Sequence, residues 1–156
     1  MQFAASSTSS NSSRQTGRQF AKPELSTFIV EDSNLILENL IDALGELGPT
    51  PVQVVGHAAD EHTALQGLAK VGGKVDLLIT DIFLRQGSGL AVLQAATKAG
   101  LPAHRVVLTN YATAAMRQRC VDLGAHRVFD KSTDLDELLG YCAELAEGNG
   151  RTATSQ

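Results

Sequence analysis

Two adjacent acids, a third acid, a hydroxyl and a lysine each follow directly on a short apolar run of this chain. Glu31-Asp32 come after Thr27-Phe28-Ile29-Val30, and Asp81 after the run Val75 to Thr80. Thr109 closes Arg105-Val106-Val107-Leu108-Thr109, and Lys131 comes after His126 to Asp130. Carboxylates that share one crevice raise one another's pKa unless a cation joins them. Their ligand atoms are all oxygen, with no cysteine or histidine in the set, which favours Mg²⁺ or another hard ion over zinc. Lys131 adds a positive point charge and Thr109 a hydroxyl donor. Such a set suits a tetrahedral oxyanion, for example a phosphoryl group.

For these residues to meet, the apolar runs must be neighbouring strands. Thr27-Phe28-Ile29-Val30 reads as a buried strand. Ser33 is placed to cap a helix whose apolar face is Ile36, Leu37, Leu40, Ile41, Leu44 and Leu47, and Gly48-Pro49 stops it. Val52 to Ala58 reads as a second strand. Asp60 then caps a helix carrying Leu65, Leu68 and Val71, closed by Gly72-Gly73. Val75 to Thr80 gives the third strand, 82–88 a loop and 89–99 a helix with Leu90, Val92, Leu93 and Ala96. The pattern continues with a strand at Arg105–Thr109, a helix at 113–123, a strand at His126–Asp130 and a helix from Asp134 to Glu147. Strands apolar on both faces belong in a parallel sheet with helices on each side. Right-handed crossovers make that sheet doubly wound, and its ligands sit outside the carboxyl ends of the strands. All five chemical positions are strand ends.

Composition narrows the function classes. Residues 1–26 carry Arg14, Arg18 and Lys22 against Glu24, a net of +2, while the remainder holds 10 basic and 16 acidic residues, a net of −6. An acidic domain repels a polyanion, so no nucleic-acid partner is expected for the folded part. Cys120 and Cys142 lack a metal-ligand pattern and read as free thiols, and His57, His62, His104 and His126 receive no role. No apolar run approaches the ~18 residues that cross a bilayer. Met1 to Ser6 has neither a basic start nor an apolar stretch, so the expected place is the cytoplasm, without a membrane partner. The polar segment SSTSSNSS at 6–13 sets off 1–24 as an expected disordered tail, with the domain at 25–148 and a flexible tail at 149–156.

The sequence resembles the receiver domain of two-component response regulators from about Thr27 to Glu147. The resemblance is carried by Glu31-Asp32, the loop Asp81-Ile82-Phe83-Leu84-Arg85-Gln86-Gly87-Ser88-Gly89, Thr109 in VVLTNYA and Lys131 in VFDKS. It implies a flavodoxin-like sheet of strand order 2-1-3-4-5 with helices on both faces. It implies that Asp81 is phosphorylated by a sensor histidine kinase or another phosphohistidine donor, such as a phosphotransfer protein. Mg²⁺ would be held by Glu31, Asp32, Asp81 and the main-chain carbonyl of Phe83, and Thr109 and Lys131 would contact the phosphoryl oxygens. Such a domain is a switch and not a turnover enzyme.

Some positions depart from the family pattern. Receiver domains often carry an aromatic residue three places before the lysine; here that residue is Val128, with Phe129 one place later. Adjacent strand residues point to opposite faces, so Phe129 is not expected to substitute for it. Either Val128 fills the space that Thr109 vacates, or another helix face carries the signal. A proline frequent after the lysine is Ser132 here, which leaves open whether the Lys131 peptide is cis, and one after the Leu84 position is Arg85. Phe83 and Tyr111 are bulky neighbours of the phospho-acceptor and are expected to hinder water. The chain ends nine residues after Glu147. The expected output is therefore protein–protein contact with an unknown downstream target through the face of 113–123, 126–130 and the last helix, where Arg117, Arg119 and Arg127 lie as solvated charges. A homodimer through that face is left open.

Three other readings compete. A Mg²⁺-dependent phosphatase of the haloacid-dehalogenase type would need a second Asp two residues after the nucleophile, where Phe83 stands. A flavodoxin-like small-ligand binder would want a Gly-, Ser- or Thr-rich phosphate loop where Glu31-Asp32 sit. A degenerate, unphosphorylated receiver is the remaining alternative.

Overall fold

The structure, a computed structural model, describes residues 24–49 and 52–154. The expected tail at 1–24 lies outside the described residues apart from Glu24. The elements in chain order are β1 Leu25–Val30, α1 Asn34–Gly45, β2 Val52–Ala58 and α2 Glu61–Val71. After a 3-10 turn at Gly72–Lys74 come β3 Leu77–Thr80, α3 Gly89–Ala99, β4 His104–Thr109, α4 Ala114–Asp122, β5 Arg127–Asp130 and α5 Leu135–Thr154. All strand pairs are parallel, in the order β2-β1-β3-β4-β5. The expected order 2-1-3-4-5 is therefore met.

Local chemistry starts each helix where a side chain can accept an orphan amide. Ser33 Oγ accepts from Ile36 N at 3.3 Å and Asp60 Oδ1 from Thr63 N at 2.8 Å. Ser88 Oγ accepts from Leu90 N at 3.0 Å and Thr113 Oγ1 from Met116 N at 3.1 Å. The Thr63 amide and hydroxyl hold the Asp60 carboxyl below its usual range.

Alternation along the strands divides the core in two. Leu25, Ile29, Leu77, Ile79, Val106, Leu108 and Phe129 pack against α1 (Leu37, Leu40, Leu44) and α5 (Leu138, Cys142, Ala146). The opposite face presents Phe28, Val30 and Leu78 to α2 and α3, and Val107 and Val128 to α3 and α4. Phe28, 2% exposed, lies where a Cβ on Gly56 of β2 or on Gly67 of α2 would come within 2.9 Å of its ring. Burying such a ring contributes about 2–3 kcal/mol.

Two expectations are corrected. The second strand is not apolar on both faces: β2 lies at the sheet edge, with Gln53, Val55 and His57 exposed. The last helix does not end at Glu147. It continues to Thr154, so 149–154, expected within a flexible tail, is helical.

Candidate functional site

The sheet continues by one hydrogen bond past the strand ends, and this sets the acids side by side. Glu31 N donates to Ala58 O at 2.9 Å and Asp81 N to Val30 O at 3.0 Å. On the other flank Lys131 N donates to Thr109 O at 2.9 Å. The Lys131 ammonium then reaches both acids, at 2.7 Å from Glu31 Oε1 and 2.7 Å from Asp81 Oδ2. The remaining oxygens are also engaged: Glu31 Oε2 accepts from Ser33 N at 3.0 Å and Asp81 Oδ1 from Ile82 N at 2.6 Å. Side-chain exposure is 10% for Lys131, 4% for Glu31 and 9% for Asp81. Two anions and one cation leave this nearly buried trio with a net charge of −1. Burial disfavours the charge on Lys131, but its bonds to Asp81 and Glu31 outweigh that and raise its pKa above 10.5.

The loop that leaves Asp81 folds back on itself. Gly89 N donates to Ile82 O at 2.8 Å, and Phe83 bridges Ser88 in antiparallel fashion. A Cβ on Gly89 would lie 1.6 Å from Asp81 O, so only glycine lets the start of α3 approach the Asp81 peptide. Arg85 reaches across to the Asp32 carbonyl at 3.2 Å. Thr109 is fully buried, and its hydroxyl accepts from Tyr111 N at 3.2 Å. The Phe83 and Tyr111 rings, 53% and 57% exposed, meet edge to face at 4.6 Å between centroids, joining this loop to the one after β4.

A family model, the response regulator receiver domain, matches residues 27–143. This chain belongs to the receiver domain family. An uncharacterized transcriptional regulatory protein of Bacillus subtilis strain 168, YvfU, is 30% identical over 123 residues, or 78% of this chain. The chain spans 58% of that relative's length. The receiver domain of the putative response regulator NarL from Mycobacterium tuberculosis superposes with a TM-score of 0.69 at 22% identity, covering 80% of this chain and 98% of that one. CheY in the CheX–CheY–BeF3–Mg²⁺ complex from Borrelia burgdorferi superposes with a TM-score of 0.70 at 18% identity, covering 78% and 88%. These structures share the fold. Receiver domains are signalling modules of two-component systems, generally bind Mg²⁺ and interact with histidine kinases or phosphotransfer proteins. No helix among the described residues is long and apolar enough to cross a membrane.

The residues of this receiver can be compared with the Mg²⁺ that the family implies. Glu31 and Asp81 offer anionic oxygens and already converge on one cation, which fits a hard divalent ion. Among the described residues no three acids, histidines or cysteines form a ready metal cluster, and the Lys131 ammonium bridges Glu31 and Asp81.

Val128 and Phe129 point to opposite faces, as expected. Val128 is buried against Ile82, Leu93, Val107 and Cys120, while Phe129 packs on Tyr141 beneath Arg127. Arg117, expected to be solvated, is instead a tie. Its Nε donates to Ala112 O at 3.0 Å, its Nη1 to Val128 O at 2.8 Å, and its Nη2 lies 3.4 Å from Asp134 Oδ2. Asp134 Oδ2 also accepts from Asp130 N at 2.9 Å. Ser132, in the frequent proline position, closes the Lys131 turn on Asp130 Oδ1 through its amide at 2.8 Å and hydroxyl at 2.6 Å. These bonds hold the Asp130 carboxyl below its usual range. The peptide after Lys131 is not cis. The sequence reading missed Arg117, Arg85 and Glu61 because their partners are mostly main-chain atoms, which leave no mark in residue types.

Lys131→Met should uncover the electrostatics of the trio. Removing the one cation leaves two buried carboxylates facing each other, a loss of about 3 kcal/mol in metal-free buffer at neutral pH. Added Mg²⁺ should restore part of it. In the wild type the raised lysine pKa means that the contribution is complete below pH 10.5 and is lost as pH rises through the folded value. Thermal melts with EDTA and with Mg²⁺ check this; an unchanged melt with EDTA would show that the pairs contribute nothing net.

Proposed function

We propose that this receiver is a phosphorylation-dependent switch in which Asp81 accepts a phosphoryl group from a phosphohistidine. The donor would be a sensor histidine kinase or a phosphotransfer protein. The observation that carries the reading is the nearly buried Asp81 carboxylate, paired at 2.7 Å with an ammonium that also balances Glu31. In the transfer, a bond forms between an Asp81 oxygen and phosphorus as the phosphorus–nitrogen bond breaks, and the imidazole leaves with the electron pair. Lys131 neutralises a phosphoryl oxygen. Glu31, Asp32, Asp81 and the Phe83 carbonyl would hold Mg²⁺, which would supply the remaining charge neutralisation.

Thr109 then exchanges the Tyr111 amide for a phosphoryl oxygen, which frees the loop 110–113. Arg117 supports this readout: it grips Ala112 in that loop, β5 and the start of α5 together. The outcome is a population shift at the face of α4, β5 and α5, which binds the downstream protein. Intact mass after incubation with Mg²⁺ and acetyl phosphate is the test. A gain of about 80 Da, one phosphoryl group from its formula, is expected. No gain from acetyl phosphate or from a phosphohistidine protein would favour the degenerate receiver.

The Phe83–Tyr111 ring pair should set the lifetime of the phosphorylated state. Opening it with Phe83→Asn and Tyr111→Glu should speed autodephosphorylation by about tenfold, or about 1.4 kcal/mol off the barrier. Loss of phosphate with time, measured by mass, checks this; identical lifetimes would remove the idea.

A further inference from the structure

The loop that carries Phe83 is clipped to a helix outside the described site. Glu61, the first residue of α2, receives Ser88 N on its Oε1 at 3.0 Å and donates its own N–H to Gln86 O at 3.2 Å. These two bonds bracket Gly87, whose φ of +83° is left-handed, and a Cβ there would lie 2.3 Å from Glu61 Cβ. The backbone of the loop thus lies directly on Glu61, with its amide and carbonyl both answered by one residue. Ser88 in turn pairs with Phe83 across the antiparallel bridge, and its hydroxyl caps α3. On the facing side Arg85 ties the loop to the Asp32 carbonyl. Phe83 is thereby fixed from two directions, by Glu61 through Ser88 and by Arg85 through the acidic pair.

We propose that Glu61 is a positioning residue for the acceptor site: it fixes the Asp81–Gly89 loop, and with it the main chain and ring of Phe83, two residues after Asp81. The inference rests on the reading of Asp81 as a Mg²⁺-assisted phosphoryl acceptor. Glu61 touches neither phosphoryl group nor metal. Its effect runs through the Ser88 amide, so a group that keeps an acceptor oxygen there should suffice. Glutamine keeps one and alanine does not.

The test compares wild type, Glu61→Gln and Glu61→Ala as full chains. Backbone NMR first follows exchange of the Ser88 amide without metal, then shifts of the Phe83 amide during titration with Mg²⁺ alone. Phosphorylation by acetyl phosphate is finally measured as a function of Mg²⁺ concentration. Glu61→Ala should weaken Mg²⁺ binding about tenfold, the usual effect of losing a residue that orients a ligand, and speed Ser88 exchange by a similar factor. Glu61→Gln should stay within about twofold of wild type on both, and saturating Mg²⁺ should bring the phosphorylation rate of Glu61→Ala back towards wild type. Wild-type Mg²⁺ binding in Glu61→Ala overturns the proposal and leaves the acceptor reading intact. Equal losses in Glu61→Gln and Glu61→Ala also overturn it, because a surviving acceptor oxygen would then not matter. A wild type that binds no Mg²⁺ overturns the acceptor reading and this inference together.

Discussion

Asp81→Asn should show no gain of mass under conditions that phosphorylate the wild type, while its stability stays within about 1 kcal/mol of wild type. Asparagine has no nucleophilic carboxylate oxygen, so no acyl phosphate can form. Stability is spared because two effects oppose each other. Losing one anion takes the Glu31–Asp81–Lys131 trio from a net charge of −1 to neutral, which relieves repulsion in a nearly buried site. Against that, a carboxamide has one acceptor oxygen where the carboxylate serves both Lys131 Nζ and Ile82 N. Intact mass and a thermal melt on the same preparation check both parts. A mass gain that persists would place the acceptor elsewhere, and a collapsed melt would show that the Asp81 oxygens hold the sheet end together.

Gly89→Ala is expected to be the most damaging single methyl in the domain. The added Cβ would lie 1.6 Å from Asp81 O, 2.6 Å from Asp81 C and 3.0 Å from Ile82 Cα. All three are backbone atoms just past the end of β3, so no side-chain rotation can relieve the contact. Either α3 moves away, breaking the bond from Gly89 N to Ile82 O, or Asp81 moves within its site. Overpacking of this kind costs about 3 kcal/mol, which lowers Tm by about 10 °C in a domain of this size. A displacement of about 1 Å at a reacting group costs about a hundredfold in rate. Phosphorylation should therefore fall much further than the melt alone explains. A wild-type melt together with a wild-type rate would show that the approach of α3 to Asp81 is not required.

Five alternating apolar runs and amphipathic segments determined the order of elements, because each strand needs cover on its faces and each helix a stripe to bury. Ser33 and Asp60 were legible as caps because their bonds are local, closing on residues three positions on. The strand-end positions of Glu31, Asp81, Thr109 and Lys131 were legible for a different reason: a doubly wound sheet collects such ends at one edge. Helix α5 ran past its expected stop, since Gly148 and Gly150 weaken a helix without ending it.

What residue types could not convey was who meets whom across the chain. That Lys131 pairs with Glu31 as well as Asp81 depends on rotamers set by packing. The demand for glycine at position 89 comes from the Asp81 carbonyl, eight residues away in the chain. Arg117 looked like a surface charge because its partners are mostly carbonyls that every residue carries. The sequence by itself determined the fold and the identity of the chemical groups, through periodicity and strand-end position. Only the tertiary structure decided how the loops bearing those groups are held, because long-range contacts to main-chain atoms have no signature in the side chains.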